Sequence, residues 1–339
     1  MSNDLKLVLE ALQRSRKIVV VSHTNPDADA YGSSCGIAEG LRALGKEVVV
    51  HNESGFVPRY SVIPGASRVV KGAWPALADG ELLVVTDCGA LERVGDSLID
   101  AVTSSPLVLN IDHHNANTRF GHLNYVIEGA SSTSELVFDI LWELERRTAR
   151  NDLLSMLSGM CLLAGIIGDT GSFKYASTHA STFLAAHELM KRGARPDLVT
   201  QELFANQSLA AVKLQSAAMS GVELLNEGRF AEVIVTQEML TAHGAELIDA
   251  DSLAERARDI EGVRVSALYK QDVDMWRVSL RSRQNAVDVS AVAQMFGGGG
   301  HKPAAAFRWR KDFETLQREL RGAIANALKN SDAKRDTTN

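Results

Sequence analysis

Cysteine is scarce and poorly placed for any shared duty: Cys35, Cys88 and Cys161 are odd in number, far apart, and form no Cys-x-x-Cys pair. A disulfide framework is thereby excluded and zinc–thiolate chemistry disfavoured; reduced thiols in the cytosol are the ordinary state of such residues. Long apolar runs are also missing. The most apolar stretch, residues 153–167, is interrupted by Ser155, Ser158, Gly159 and Gly165 and is too short to cross a bilayer. Asp4, Lys6, Glu10, Arg14 and Arg16 punctuate the N-terminal apolar positions, as in an amphipathic helix rather than a signal peptide. A cytoplasmic protein without a membrane partner is expected. Nor is there a surplus of positive charge: 36 Lys and Arg stand against 42 Asp and Glu, a net charge of −6. That balance argues against a broad basic surface for long duplex nucleic acid, while leaving room for a short oligonucleotide or mononucleotide in a local pocket.

What is present suffices for two domains: 339 residues, 45% of them hydrophobic. Strand patterns at 17–22, 47–52, 82–86 and 106–111 alternate with helical ones, among them 32–44, in which Gly32-Ser33-Ser34 is expected to open the helix. This alternation predicts an α/β fold, a doubly wound and mostly parallel sheet. Residues 132–147, 152–167, 178–192, 196–205 and 209–225 read as helices, the last as a connector. Strands at 230–236, 264–269, 276–281 and 304–309, with helices at 287–296 and 312–328, predict a smaller C-terminal α/β domain. The expected division is 1–195, a connector at 196–226, a second domain at 227–330 and a disordered tail at 331–339. No internal repeat is visible.

Chemistry concentrates where the first-domain strands end. Asp112-His113-His114 follows one strand, Asp87 another, and His23, Asp27 and Asp29 a third, while Asp169 lies in Gly168-Asp-Thr-Gly171. Ligands of doubly wound sheets bind beyond the carboxyl ends of the strands, where these residues fall. Taken singly, each would be an ordinary turn or helix cap. Together they form a sulfur-free set of imidazoles and carboxylates that suits two Mn²⁺- or Mg²⁺-like ions better than structural zinc. Two ions sharing a carboxylate make a clamp for in-line attack on phosphorus. Farther on, Gly298, Gly299 and Gly300 in the run 297–300 could bring backbone N–H groups to an anion, and His301 could bond a terminal phosphate. A tight packed loop is the ordinary alternative. Arg281 is a candidate phosphate or base contact and Arg283 a solvated neighbour, whereas Trp276 and Trp309 read as core residues.

At these residues the sequence resembles the DHH phosphoesterases, in the branch with a DHH-associated C-terminal domain and of the nanoRNase/pAp-phosphatase type. His23-Thr-Asn-Pro-Asp-Ala-Asp-Ala-Tyr-Gly-Ser33 is similar to the first family motif and Val84-Val-Thr-Asp-Cys88 to the second. Asp112-His113-His114 names the family, Gly168-Asp169-Thr-Gly-Ser-Phe-Lys-Tyr175 resembles its fourth motif, and the glycine run with His301-Lys302 resembles its C-terminal substrate motif. One departure is Ala304-Ala-Ala-Phe307, where relatives often carry glycine.

The resemblance implies that His23, Asp27 and Asp87 hold one divalent cation and that Asp29, Asp87, His113 and Asp169 hold a second. Mn²⁺ is the first choice, with Mg²⁺ or Co²⁺ as substitutes. Asp112 would orient a histidine and His114 would face the scissile phosphate, with Ser33 and Asn25 in support. The active site is expected in an interdomain cleft. Expected substrates are short oligoribonucleotides and 3′-phosphoadenosine 5′-phosphate (pAp). Cyclic di-AMP or a linear dinucleotide is the alternative on the same scaffold. A RecJ-type exonuclease, a pyrophosphatase or an inactive nucleotide sensor fits less well, and a homodimer is allowed.

Overall fold

The computed structural model describes residues 3–283 and 286–336, with side chains for all of these except Asn3, His301 and 334–336. The chain divides into two compact units after Asn206. The first comprises α1 (Asn3–Arg14), β1 (Lys17–Ser22), α2 (Ala28–Ala43), β2 (Glu47–Asn52), β3 (Val70–Lys71), β4 (Leu82–Thr86), α3 (Ile99–Thr103), β5 (Val108–Asp112), β6 (Leu123–Val126), α4 (Thr133–Thr148), α5 (Met156–Asp169), α6 (Ala180–Lys191) and α7 (Pro196–Thr200).

Its six strands are all parallel, in the order β3-β2-β1-β4-β5-β6. Progression along the sheet reverses between β1 and β4, which opens a crevice at their carboxyl ends. Strand alternation sends successive side chains to opposite layers. Ile18, Val20, Val84, Leu109 and Ile111 enter the core beneath α2, α4 and α5. Val19, Val21, Leu83, Val85 and Val108 pack in the opposite core with Trp74, Leu98 and Val102. Both faces are covered, so β4 and β5 are buried along their whole length. The two strands that the sequence pattern does not announce, β3 and β6, have two and four residues and lie at the sheet's edges.

Helices α2 and α5 approach to backbone contact. A Cβ on Gly32 would lie 2.6 Å from the Cys161 carbonyl oxygen and 2.8 Å from the Gly165 nitrogen. The helix expected to open at Gly32 starts instead at Ala28, because the Asp27 carboxylate accepts the N–H groups of Asp29 and Ala30, both at 3.0 Å. Gly32 is therefore a packing residue one turn inside.

The second unit comprises α8 (Leu209–Ser220), β7 (Glu223–Leu225), β8 (Phe230–Val235), α9 (Gln237–His243), α10 (Leu253–Arg258), β9 (Val265–Gln271), β10 (Trp276–Ser282), α11 (Val289–Met295), β11 (Gly299–His301), β12 (Ala304–Trp309) and α12 (Phe313–Asp336). Its sheet runs β11-β12-β10-β9-β8-β7, with β8 and β9 parallel and the other pairs antiparallel. One face packs on α11 and α12 through Tyr269, Leu280, Phe307 and Leu320, the other on α8 and α10 through Leu214, Val233, Leu253 and Leu268. Trp276 and Trp309 face each other across β10 and β12 at the margin of the first of these cores, as their strand positions suggested.

Two sequence expectations change here. The 196–226 stretch is not a separate connector: α7 belongs to the first unit, and α8 packs on the second sheet through Leu214 and Ala218. The tail expected to be disordered from 331 is helical through Asp336, since the Asp332 carboxylate takes charge-assisted hydrogen bonds from Arg229, at 2.8 Å, and from Arg264. Residues 337–339 lie outside the described residues.

Replacing Gly32 with Ala is expected to destabilise the first unit by about 1–3 kcal/mol, because backbone rather than a movable side chain opposes the new methyl. A thermal midpoint lowered by several degrees in a calorimetric scan checks this; an unchanged midpoint would contradict the close helix contact.

Candidate metal centre

His23, Asp87 and His113 follow β1, β4 and β5, which places them around the crevice at the β1/β4 reversal. Asp87 sits there with φ at 55°, a left-handed conformation that is strained for a residue with a Cβ. Asp29 comes from the first turn of α2 and Asp169 from the last residue of α5. Asp169 is followed by three consecutive left-handed residues, Gly171, Ser172 and Phe173, in a turn tied by the Thr170 hydroxyl donating to Ile166 O at 2.6 Å.

These residues converge as three overlapping groups: His23, Asp27 and Asp87; Asp29, His113 and Asp169; and Asp87, His113 and His114. The ligand atoms in each group lie within 4.8 Å of one another. Nε2 of His23 is 3.5 Å from Asp87 Oδ2 and 3.8 Å from Asp27 Oδ2. Nε2 of His113 is 3.1 Å from Asp169 Oδ2 and 3.7 Å from Asp87 Oδ1. The two oxygens of Asp87 thus face different histidines. Both imidazoles donate Nδ1–H to backbone carbonyls, His23 to Thr24 at 2.8 Å and His113 to Ala130 at 3.1 Å. Nε2 is thereby fixed toward the carboxylates, the arrangement typical of metal-binding histidines.

His114 behaves differently. Its Nδ1, 3.7 Å from Asp87 Oδ1, is already bonded to Asp112 Oδ1 at 2.7 Å, so that nitrogen is committed to Asp112. Asp112 is fully buried, and its other oxygen accepts from Asn117 Nδ2 at 2.6 Å. Asn117 also donates to Asn110 Oδ1 at 2.8 Å, and Asn110 donates to the Cys88 carbonyl at 3.2 Å. This network holds Asp112, and through it His114, against the turn that follows Asp87. Sequence reasoning left Asn117 unassigned; its one legible signal is a polar side chain three residues beyond the histidine pair.

The electrostatics describe a cluster short of positive charge. Burial disfavours the His23 imidazolium, yet Asp87 and Asp27 lift its pKa to about 9. Burial likewise opposes charge on His113, yet Asp169, Asp87 and Asp29 raise it to about 11. Asp29 is pushed well above the carboxylate range by burial and by the negative charges of Asp87 and Asp169. Asp169 is raised by burial despite the His113 contact. Asp87 is held low against its burial by the His23 hydrogen bond and the three surrounding imidazoles. Protons on imidazole are here doing what a cation would do. Oxygen and imidazole donors around a shared carboxylate fit a divalent metal ion, with no thiolate among them.

Other sequence candidates fall out differently. Ser33 is fully buried and its hydroxyl donates to the Asp29 carbonyl at 2.7 Å, a bond within α2, so it is not placed to meet a phosphate. Exposed Asn25 has φ at 52°, and its backbone N–H donates to Ser54 Oγ at 2.8 Å. In the second unit Arg281 donates to Glu255 Oε1 at 2.6 Å rather than standing unpartnered. Arg283, expected to be solvated, donates to the carbonyls of Arg258 and, at 2.9 Å, Ile260, at the end of α10. The glycine run is partly strand: Gly299 and Gly300 pair with Ala306 and Ala305. A Cβ on Gly298 would lie 2.3 Å from Ala306 O, and one on Gly300 2.5 Å from Ala305 Cα, so close packing accounts for these two glycines. A Cβ on Gly299 would meet nothing within 4 Å. The His301 side chain lies outside the described residues.

Residues 17–166 match the DHH family, N-terminal domain, and residues 231–330 match the DHHA1 domain. The bifunctional oligoribonuclease and PAP phosphatase NrnA of Thermus thermophilus is 31% identical over 309 residues, covering 89% of this chain and 87% of its own length. The chain belongs to the DHH phosphoesterase family. An exopolyphosphatase-related protein from Bacteroides fragilis superposes with a TM-score of 0.86 at 25% identity, over 96% of both chains. The cyclic-di-AMP phosphodiesterase PdeA of Listeria monocytogenes is 27% identical over 88% of this chain, which spans only 45% of that protein. DHH phosphoesterases depend on metal, and the clusters around Asp87 supply suitable donors in this member. Among the described residues no helix is long and apolar enough to cross a membrane.

An imidazole must be neutral to bind a metal ion, so if His23 and His113 are ligands, uptake would expel the protons that their raised pKa values retain. Both are protonated below their raised pKa values, and protonation falls away as pH climbs. Apparent Mn²⁺ affinity is therefore expected to rise from pH 7 toward 9, with proton release detectable by calorimetry in buffers of different ionisation heat. Uptake independent of pH over that range would refute these ligand assignments.

Proposed function

We propose that this phosphoesterase hydrolyses short oligoribonucleotides to mononucleotides and removes the 3′-phosphate of pAp. The observation that carries the reading is the single buried carboxylate of Asp87, whose two oxygens face separate histidine-containing groups, in a chain similar along most of its length to NrnA. His23, Asp27 and Asp87 would hold one divalent cation, and Asp29, Asp87, His113 and Asp169 a second, with Mn²⁺ as the first choice and Mg²⁺ or Co²⁺ able to replace it. Such a pair supplies an activated water and offsets charge on the phosphoryl oxygens.

The remaining work falls to the chain itself. His114, aligned by Asp112, is assigned to donate a proton to the leaving oxygen, and the Asn117 bond to Asp112 keeps that alignment. For the rest of the nucleotide we assign the edge around Gly299 and His301. A hollow of about 300 Å³ lined by Gly297, Gly298, Ala306, Phe307 and Arg308 beside the glycine run supports this. Arg281 would need to leave Glu255 to contribute, so it ranks behind them. Three free, buried thiols suit a reducing compartment, and we place the enzyme in the cytoplasm.

The deciding experiment measures kcat/KM with Mn²⁺ side by side for pAp, a linear diribonucleotide, a longer oligonucleotide and cyclic di-AMP. The first two are expected to lead. A clear preference for cyclic di-AMP would transfer the assignment to the alternative diesterase activity. Asp87→Ala should abolish turnover, and retained activity would sink the shared-carboxylate model. His114→Asn should lower kcat by about 10²–10⁴-fold with Mn²⁺ binding kept. His301→Ala should raise KM with little change in kcat; an unaltered KM would remove it from substrate recognition.

A further inference from the structure

Helix α4 begins at Thr133, and its opening N–H groups need acceptors. Ser132 Oγ serves the N–H of Glu135 at 3.1 Å, which leaves those of Thr133 and Ser134. Both go to one carboxylate more than a hundred residues away in sequence: Thr133 N–H donates to Asp29 Oδ2 at 2.7 Å and Ser134 N–H to Asp29 Oδ1 at 2.9 Å. The same Thr133 donates its hydroxyl to Asp87 Oδ1 at 3.1 Å. Thr133 is fully buried, Asp29 is 1% exposed and Asp87 2% exposed, so these bonds lie away from bulk solvent. Room for them is made by Gly165 on α5, where a Cβ would lie 2.0 Å from Ser134 Oγ and 2.5 Å from Asp29 Oδ1.

We infer that Thr133 is a positioning residue of the metal centre, whose hydroxyl sets the rotation of the Asp87 carboxylate while its N–H helps set that of Asp29. The inference rests on the cation-binding role proposed above for these two aspartates. A carboxylate that must offer one oxygen to each of two sites has to be held in one rotation about its Cβ–Cγ bond. The histidines facing Asp87 cannot hold it once their Nε2 atoms are turned to a cation. Thr133 can, because a hydroxyl donates without charge and does not compete for the ion. Each Asp29 oxygen keeps a second lone pair after accepting an N–H, so anchoring to α4 is compatible with ligation. Threonine suits the place: its branched Cβ restricts χ1 and holds the hydroxyl in one direction.

The test compares the full-length wild type with Thr133→Val, which keeps the shape and removes the donor, and Thr133→Ser, which keeps the donor. Mn²⁺ affinity and stoichiometry are read by calorimetry, alongside thermal unfolding of the metal-free proteins. Thr133→Val is expected to bind Mn²⁺ about 10–100-fold more weakly, the range found when partners of metal ligands are removed. Thr133→Ser should stay close to wild type. At saturating Mn²⁺, Thr133→Val should regain much of its kcat with KM unchanged. Equal Mn²⁺ affinity in Thr133→Val and wild type, with wild-type binding intact, overturns this inference alone. Equal losses in the Val and Ser variants also overturn it, since side-chain shape rather than the hydroxyl would then be responsible. If the wild type takes up no Mn²⁺, the cation reading and this inference fall together.

Discussion

A negative charge that water cannot reach must be answered by the protein, and Asp87 is that charge. It lies at the end of an entirely buried strand, in a backbone conformation that disfavours any side chain, and stays ionised because imidazoles surround it. The elements around it meet this demand. Strand β1 brings His23, β5 brings His113 and His114, and α4 brings the Thr133 hydroxyl. The reversal of strand order between β1 and β4 is what allows groups from opposite directions along the sheet to reach one point. Remove the carboxylate and the protonated histidines would repel one another; remove them and Asp87 would have to neutralise.

Three further aspartates divide their carboxylates between architecture and site. Asp27 caps α2 with one oxygen and faces His23 with the other. Asp29 secures the start of α4 while belonging to the group with His113 and Asp169. Asp112 serves both His114 and Asn117. Loss of any of them would disturb folding and chemistry together, so activity measurements on such variants need a structural readout beside them.

Much of this was legible in the sequence, for physical reasons that can be named. The apolar runs of β1 and β4 fall at the residues expected, because strands buried on both faces must be continuously apolar, and β2 falls where its β-branched run placed it although Val49 stands exposed. Family membership was visible in the motifs that carry the resemblance, and the meeting of His23, Asp87 and His113 in their places after strand ends, which in this topology point to one crevice. What stayed hidden depends on contacts between distant segments. The sequence announces a helix over 132–147, and Ser132 caps it by accepting the Glu135 N–H; nothing local tells that Thr133 reaches Asp87 or that Glu135 turns to Thr182. The glycine run left both a phosphate loop and a tight packed loop open, and the close approach of β12 to Gly298 and Gly300 is a contact that the sequence does not show. Ser33 looked like an anion contact because the helix start was placed one turn late, Asp27 being counted as a ligand and not also as a cap.

The contact between α2 and α5 has a further reach. Asp29 opens the first of these helices and Asp169 closes the second, and near that end a Cβ on Gly168 would stand 2.7 Å from the Ala28 Cβ. Helices separated by side chains can adjust their spacing by changing rotamers; helices touching through backbone cannot, because atomic radii alone set the gap. The pair therefore acts as a ruler, and the distance between the backbone attachments of these two aspartates is graduated on it. Drift in surrounding side chains can reshape what binds nearby while this ruler keeps its length, so substrate preference can diverge among relatives without the metal centre being redrawn.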